Sequence, residues 1–318
     1  MSAHRDNPAR QTSLREHNLA LTLAQLADHG PTSRARLAAV TGLTKATVSS
    51  LVDSLVAGGL VAELGPSAAP RVGRPGSQVA LSGSGPVGIG LEINVDYLAT
   101  MTVDLSGTVR QRETITGDLR ASQPGTVLAR AAMALRRAVE RAQIGGAQVA
   151  GVAVAVPGLV ETDLDLLRMA ANLGWRDVAV LDELRARSEG ALPEDLVLTL
   201  DNEANLAALA ELWCGGHASR DGSPLRTFVH ISGEIGIGAG IVVDGALYRG
   251  RHGFSGEIGH LTVGLPRGRR DRPEAECSCG RQGCLEQLAG QEAILRAAGF
   301  GEPARTGRRL GGLGTSRG

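Results

Sequence analysis

Three cysteines fall within eight positions, Cys277-Ser278-Cys279-Gly280-Arg281-Gln282-Gly283-Cys284, and His260 stands 17 residues before the first of them. Thiolates and neutral imidazole are the ligands that hold zinc, and three sulfurs with one nitrogen close a tetrahedron. With no open position left, the expected zinc is structural. The glycines among the cysteines let the chain fold tightly round an ion. A redox cysteine pair is the alternative use of the same thiols. A metal-fixed His260 would also orient the neighbouring Glu257. Cys214 lies outside the pattern and is expected to be a buried small hydrophobe. A second group has a different chemistry. Thr44, Lys45, Thr47, Ser49 and Ser50 bring short hydroxyl donors and one cation together in a few positions, and Arg71 and Arg74 follow. Such groups suit phosphates and base edges.

The elements that must position these residues come from the whole chain. Its 318 residues suffice for two or three domains. Lys+Arg and Asp+Glu are 33 each, which excludes a wholly basic nucleic-acid protein but not a local basic patch. Apolar residues at 42% permit a packed core, and aromatics at 2% exclude a base-stacking platform of the single-strand-binding type. The 44 glycines imply many tight turns or close backbone approaches. Charge is uneven. Residues 1–80 hold eight basic residues (Arg5, Arg10, Arg15, Arg34, Arg36, Lys45, Arg71, Arg74) and five acidic ones (Asp6, Glu16, Asp28, Asp53, Glu63), a net of +3 on a neutral chain. Neither a secretory signal nor a run of about 18 apolar residues is present, so a cytoplasmic protein with reduced cysteines is expected.

Residues 1–81 read as a winged helix-turn-helix DNA-binding domain. Leu19, Leu23 and Leu26 form a helical stripe; Ser33 caps a second helix; Gly42 suits its end; Thr44 caps a third. In that third helix Val48, Leu51, Val52 and Leu55 recur at i, i+3, i+4 and i+7 and face inward, leaving Lys45, Thr47, Ser49 and Ser50 outside. Gly58-Gly59 ends it, Leu60–Leu64 starts a strand, and Val79-Ala80-Leu81 returns antiparallel. The third helix would enter a major groove, with Arg71 and Arg74 on backbone or minor groove. A three-helix protein-interaction module is the alternative. Ser82-Gly83-Ser84-Gly85-Pro86 reads as a linker (82–86), residues 87–300 as an α/β body, and 301–318 as a disordered Gly- and Arg-rich tail.

The head segment Leu37-Ala38-Ala39-Val40-Thr41-Gly42-Leu43-Thr44, with Thr47-Val48-Ser49 and Gly59-Leu60-Val61, resembles the DNA-binding head of the ROK family of repressors and sugar kinases. The run Glu257-x-Gly259-His260, then Cys277-x-Cys279-Gly280-x-x-Gly283-Cys284-x-Glu286, is similar to that family's zinc motif. The resemblance covers residues 15 to about 300. It implies an actin-like body of the sugar kinase and ribonuclease H type, incomplete at its C-terminus, with the family's last strands and Gly-Gly adenosine segment lacking. It further implies that Gly158, Asn202, Glu203, Glu257, His260 and Glu286 meet a sugar or sugar phosphate. A polyol needs such a set, because each buried polar group left unmatched costs about 1–3 kcal/mol.

The nucleotide half departs from the family. Gly90-Leu91-Glu92-Ile93-Asn94-Val95-Asp96 stands in place of Asp-x-Gly-Gly-Thr, and Glu234 in Gly233–Gly240 replaces a hydroxyl residue. A carboxylate about 4 Å from a phosphate charge costs about 4 kcal/mol at an effective dielectric near 20. The kinases' aspartate base is here Glu203, a degenerate catalytic position, and about 1 Å of displacement costs on the order of a hundredfold. The reading is therefore a regulator, expected as a repressor and homodimer. It binds operator DNA and a sugar effector, with structural zinc, no ATP and no enzymatic turnover. An ATP-dependent hexose kinase is the alternative, and a relic whose body does not fold is a third.

Overall fold

The computed structural model describes residues 11–66, 77–120, 122–188, 190–216, 223–233, 235–263 and 277–300. The wing arginines Arg71 and Arg74, Glu234 and the tail 301–318 lie outside the described residues. In chain order the elements are α1 (Gln11–His29), β1 (Thr32–Ser33), α2 (Arg34–Thr41), α3 (Lys45–Ala57), β2 (Val61–Pro66), β3 (Ser77–Leu81), β4 (Val87–Ile93), β5 (Tyr97–Asp104) and β6 (Val109–Thr116). Then follow α4 (Pro124–Ile144), β7 (Val149–Val156), β8 (Leu159–Glu161), β9 (Leu166–Ala170), β10 (Trp175–Val178), α5 (Val180–Arg187), β11 (Val197–Asn202) and α6 (Glu203–Cys214). The last are β12 (Phe228–Ser232), β13 (Gly238–Val243), β14 (Ala246–Leu247), α7 (Leu285–Ala289) and α8 (Gln291–Ala297). Two compact units result. The first is Met1–Gly88 with Thr102–Arg110 and Arg141–Ala150, and the second is the rest.

In the first unit the local signals act as read. Ser33 accepts from the Arg36 N–H at 3.2 Å, and Gly42 ends α2 at φ 72°, a left-handed turn that only glycine adopts without strain. Thr44 accepts from the Thr47 N–H at 3.1 Å and so starts α3. Val48, Leu51, Val52 and Leu55 are all buried. Leu26, Leu37, Val61 and Val79 join three of them, Val48, Val52 and Leu55, in one apolar core. β2 and β3 pair antiparallel from Val61↔Leu81, and β1 adds a third strand beside β3 that the sequence did not announce. Arg34 holds the second and third helices and the wing together, donating to Asp53 Oδ1 at 2.7 Å and Glu63 Oε1 at 2.6 Å.

The Ser82–Pro86 segment, expected as a linker, makes specific contacts. The Ser82 N–H donates to Leu60 O at 2.9 Å, and a Cβ on Gly85 would stand 2.1 Å from Gly59 O. Arg110 donates to Gly83 O and to Asp104. A Gly/Ser spacer without side chains to order it would make no such contacts; here neighbouring residues supply them.

The body's main sheet has five strands in the order β11-β7-β4-β5-β6. β7 alternates, burying Val152, Val154 and Val156. β11 runs parallel to it in the register Val197↔Gly151 through Asn202↔Val156. Parallel pairing brings the carboxyl ends of both strands, and the turns after them, to one place. In the antiparallel sheet β12-β13-β14, Gly240 lets α6 approach, since a Cβ there would lie 2.4 Å from the Ala208 Cβ. Cys214 corrects an expectation. It is exposed, not buried. It lies six residues beyond Ala208, about 240° round a helix of 3.6 residues per turn, and so off the face that α6 buries.

Candidate functional site

The register of β7 and β11 sets the first half of the site. Gly158 follows β7 at φ 108°, with its Cα so close to Met169 O that a Cβ would stand 2.1 Å away. Asn202 ends β11 and caps α6, its Oδ1 accepting from the Ala204 N–H at 2.8 Å and the Asn205 N–H at 3.3 Å. Its Nδ2 donates to Gly158 O at 3.0 Å and to Glu203 Oε2 at 3.1 Å. Gly158, Asn202 and Glu203 are therefore one cluster, in which the Asn202 amide also serves the fold as a helix cap.

Below it lies a charge that the sequence reading missed. Asp201 is buried, accepts from the Asn202 N–H at 2.8 Å and Asn205 Nδ2 at 3.0 Å, and receives Arg249. An acid near the end of a strand whose buried positions also include Leu198 and Leu200 was the available signal, since a buried carboxylate requires a cation or several donors.

The second half gathers round His260, in a 3₁₀ turn at Ile258–His260. His260 Nδ1 is 3.4 Å from Glu286 Oε1 and 3.4 Å from Cys277 Sγ; its Nε2 is 3.9 Å from Glu257 Oε2. The Cys277 thiol donates to Glu286 Oε1 at 2.8 Å. Burial raises the Glu257 carboxyl above the ordinary range and the Glu286 charge adds to that, against an opposing pull from His260. Burial also pushes the Cys279 thiol up, but the Arg281 N–H and further hydrogen bonds from Cys277, the Arg281 side chain and Cys284 outweigh it and bring it to about 7.

One ligand atom from each of His260, Cys277, Cys279 and Cys284 lies within 4.8 Å of the others. Zn–S bonds of about 2.3 Å in a tetrahedron separate sulfurs by about 3.8 Å, and the Cys279 and Cys284 sulfurs are 3.7 Å apart. The four residues fit a metal ion. The chain reversals at Gly280 and Gly283, with φ 82° and 74°, make that convergence possible.

Glu92 at the end of β4 accepts from Tyr97 OH at 2.6 Å and Asn94 Nδ2 at 3.1 Å, and the Val95 N–H donates to Asn94 Oδ1 at 2.7 Å. The Val95 N–H is thus engaged by the Asn94 side chain and the Asn94 N–H by Tyr97 O, beside the Glu92 carboxylate.

On the first unit, Lys45 and Ser50 are exposed and Thr47 and Ser49 half-buried on α3. Thr44 and Thr47 hydroxyls share a hydrogen bond of 2.9 Å, so neither is wholly free for another partner.

The model of the ROK family matches residues 88–309, and that of the MarR family residues 20–71. The chain is 31% identical over 287 residues to the xylose repressor of Caldicellulosiruptor bescii, covering 89% of this chain and 66% of that one. A solved ROK family transcriptional regulator, homologous to the E. coli Mlc protein, superposes with a TM-score of 0.66 at 26% identity over 91% of this chain and 69% of its own. A ROK glucokinase from Streptomyces griseus, solved with glucose and AMPPNP, gives a TM-score of 0.53 at 27% identity over 67% of this chain and 60% of its own. The chain thus spans about two thirds of the length of the relatives it matches. With a metal-fitting His/Cys cluster, the polar turn after β11 and a match across the whole body, the chain belongs to the ROK family.

Proposed function

We propose that this chain is a DNA-binding transcriptional regulator, a repressor, that responds to a sugar. The observation that carries this reading is the union, in one polypeptide, of a capped helix-turn-helix with a sugar-kinase-type body in which Glu92, at the end of β4, accepts from Asn94 and Tyr97. A carboxylate at that place repels a phosphate, so we assign recognition of a sugar, without phosphoryl transfer and without ATP, to the body.

The roles follow from chemistry. Lys45, Thr47, Ser49 and Ser50 on α3 contact the major groove. Thr44 anchors the start of the helix near the backbone, and Arg71 and Arg74 neutralise phosphate or enter the minor groove. Gly158, Asn202, Glu203, Glu257, His260 and Glu286 bind the effector's hydroxyls. Zinc held by His260, Cys277, Cys279 and Cys284 fixes the imidazole beside Glu257 and braces the segment that carries both. The protein works in the cytoplasm as a homodimer, matching a two-fold operator. One relative is a xylose repressor and a solved one holds glucose, so a pentose or hexose is the effector class.

The test is fluorescence anisotropy with duplex DNA from upstream of the chain's own locus, with and without D-xylose or D-glucose. A sequence-preferring, salt-sensitive complex whose affinity changes with one of the sugars is expected. Salt-independent binding, or none, overturns the DNA half. Coupled turnover of ATP with a sugar panel, lost in Glu203→Ala, overturns the rejection of kinase activity.

A further inference from the structure

Arg249 follows β14 and donates through Nη1 to Asp201 Oδ2. Asp201 is buried, and its other oxygen takes the Asn202 N–H and Asn205 Nδ2. An ionised carboxylate only accepts hydrogen bonds, so Asn205 must turn its NH₂ toward it. That choice leaves Asn205 Oδ1 buried with no donor among the described residues. A carbonyl oxygen so placed is satisfied by a water or a hydroxyl arriving from outside the chain. Asp201 therefore fixes the orientation of the first turn of α6, on which Asn202 and Glu203 stand.

Arg249 reaches this acid from a different element. Past Arg249 the chain continues through Gly253, where a Cβ would lie 2.6 Å from Val160 O, and Gly256, where it would lie 1.9 Å from Ala239 O. It then arrives at Glu257 and His260. The ion pair is a direct charged link between the turn bearing Asn202 and Glu203 and the segment leading to Glu257 and His260. Its carboxylate is buried while the arginine is partly exposed, so Asp201 has one cation to balance it in that bond and few alternatives in the solvent.

We infer that Arg249 is a positioning residue for effector binding. Acting through Asp201, it holds the two halves of the polyol site at the separation a sugar ring requires, without touching the sugar. This rests on the assignment of Asn202, Glu203, Glu257 and His260 to the sugar.

The test is isothermal titration of the full chain with D-xylose and D-glucose for wild type, Arg249→Lys, Arg249→Ala, Asp201→Asn and the Asp201→Asn/Arg249→Ala pair, with sugar-free melting temperatures alongside. Arg249→Ala weakens binding at least tenfold, whereas Arg249→Lys, which keeps the charge at Asp201, stays within threefold of wild type. Asp201→Asn weakens it as Arg249→Ala does, and the pair is no weaker than the worse single change, because both break one link. Arg249→Ala within twofold of wild type, or a pair whose losses multiply, overturns the inference while leaving the sugar site standing. If Arg249→Ala does not fold, Asp201→Asn with unchanged affinity does the same. A wild type that binds neither sugar overturns the site itself, and the inference with it.

Discussion

The Asp104 knot supports a quantitative prediction. Its side chain is wholly buried and accepts from the Ser106 N–H at 2.8 Å, the Ser106 hydroxyl at 2.6 Å, the Thr108 N–H at 3.1 Å and Arg110. Arg110 is half exposed and also holds Gly83 O. Asp104→Ala strands two backbone donors and a cation together. Hydrogen bonds to a charged acceptor are worth about 1.5–3 kcal/mol each, but the arginine and the serine hydroxyl can turn to water, so the loss is about 2–4 kcal/mol. Arg110→Ala leaves the carboxylate its three other donors. Its cost is about 1–2 kcal/mol, below the ~3–5 of a wholly buried pair, because solvent already screens the arginine. Hydrogen exchange on the peptide spanning 102–110 measures this. At about 1.4 kcal/mol per tenfold, Asp104→Ala accelerates exchange at Ser106 and Thr108 by roughly 30-fold or more, and Arg110→Ala by roughly 5- to 30-fold. Equal protection in wild type and Asp104→Ala, or a larger effect from Arg110→Ala than from Asp104→Ala, refutes the reasoning. The sign with pH follows. Burial pushes the Asp104 carboxyl up, but the bonds from Ser106, Thr108 and Arg110 outweigh it and hold it below the ordinary range. A group depressed in the folded state stabilises fully above its unfolded value near 3.9 and loses that contribution as pH falls through the folded value. Protection of the 102–110 peptide therefore falls in acid, and Asp104→Asn removes that dependence.

Zinc analysis by mass spectrometry is expected to find one ion per chain, and Cys284→Ser to lower it to a small fraction, because the set of four possible donors loses one. Thr44→Ala removes the cap from the Thr47 N–H and destabilises the first unit by about 1 kcal/mol in urea titration. Lys45→Ala leaves that stability alone but reduces the slope of log affinity against log salt by about one unit in DNA anisotropy. Gly240→Ala forces a Cβ to 2.4 Å from Ala208 and 2.5 Å from Ala204 O, and destabilises the second unit by about 1–3 kcal/mol, followed by tryptophan fluorescence of Trp175 and Trp213, both in that unit.

What could be read from the chain was local. Ser33, Gly42 and Thr44 end or begin helices through bonds that span three or four residues, and the inward face Val48, Leu51, Val52 and Leu55 follows from 3.6 residues per turn. The cysteine cluster was legible for the same reason, since a Cys-x-Cys and a cysteine five further on are nearly neighbours before any folding. His260 was harder, and its motif with Glu257 supplied what spacing alone could not. The exposure of Cys214 was misjudged because composition ranks cysteine as buried, whereas its angle on α6 decides.

The sequence by itself thus determined a helix-turn-helix and a His/Cys cluster that fits a metal ion, both of them matters of residue type and short spacing. Only the tertiary structure decided that Gly158 meets Asn202, that Arg249 finds Asp201 across 48 positions, and that Ser82–Pro86 is strapped down by Arg110. Those contacts depend on strand register and on loops returning to the same end of a sheet, and no local propensity encodes where two distant segments meet.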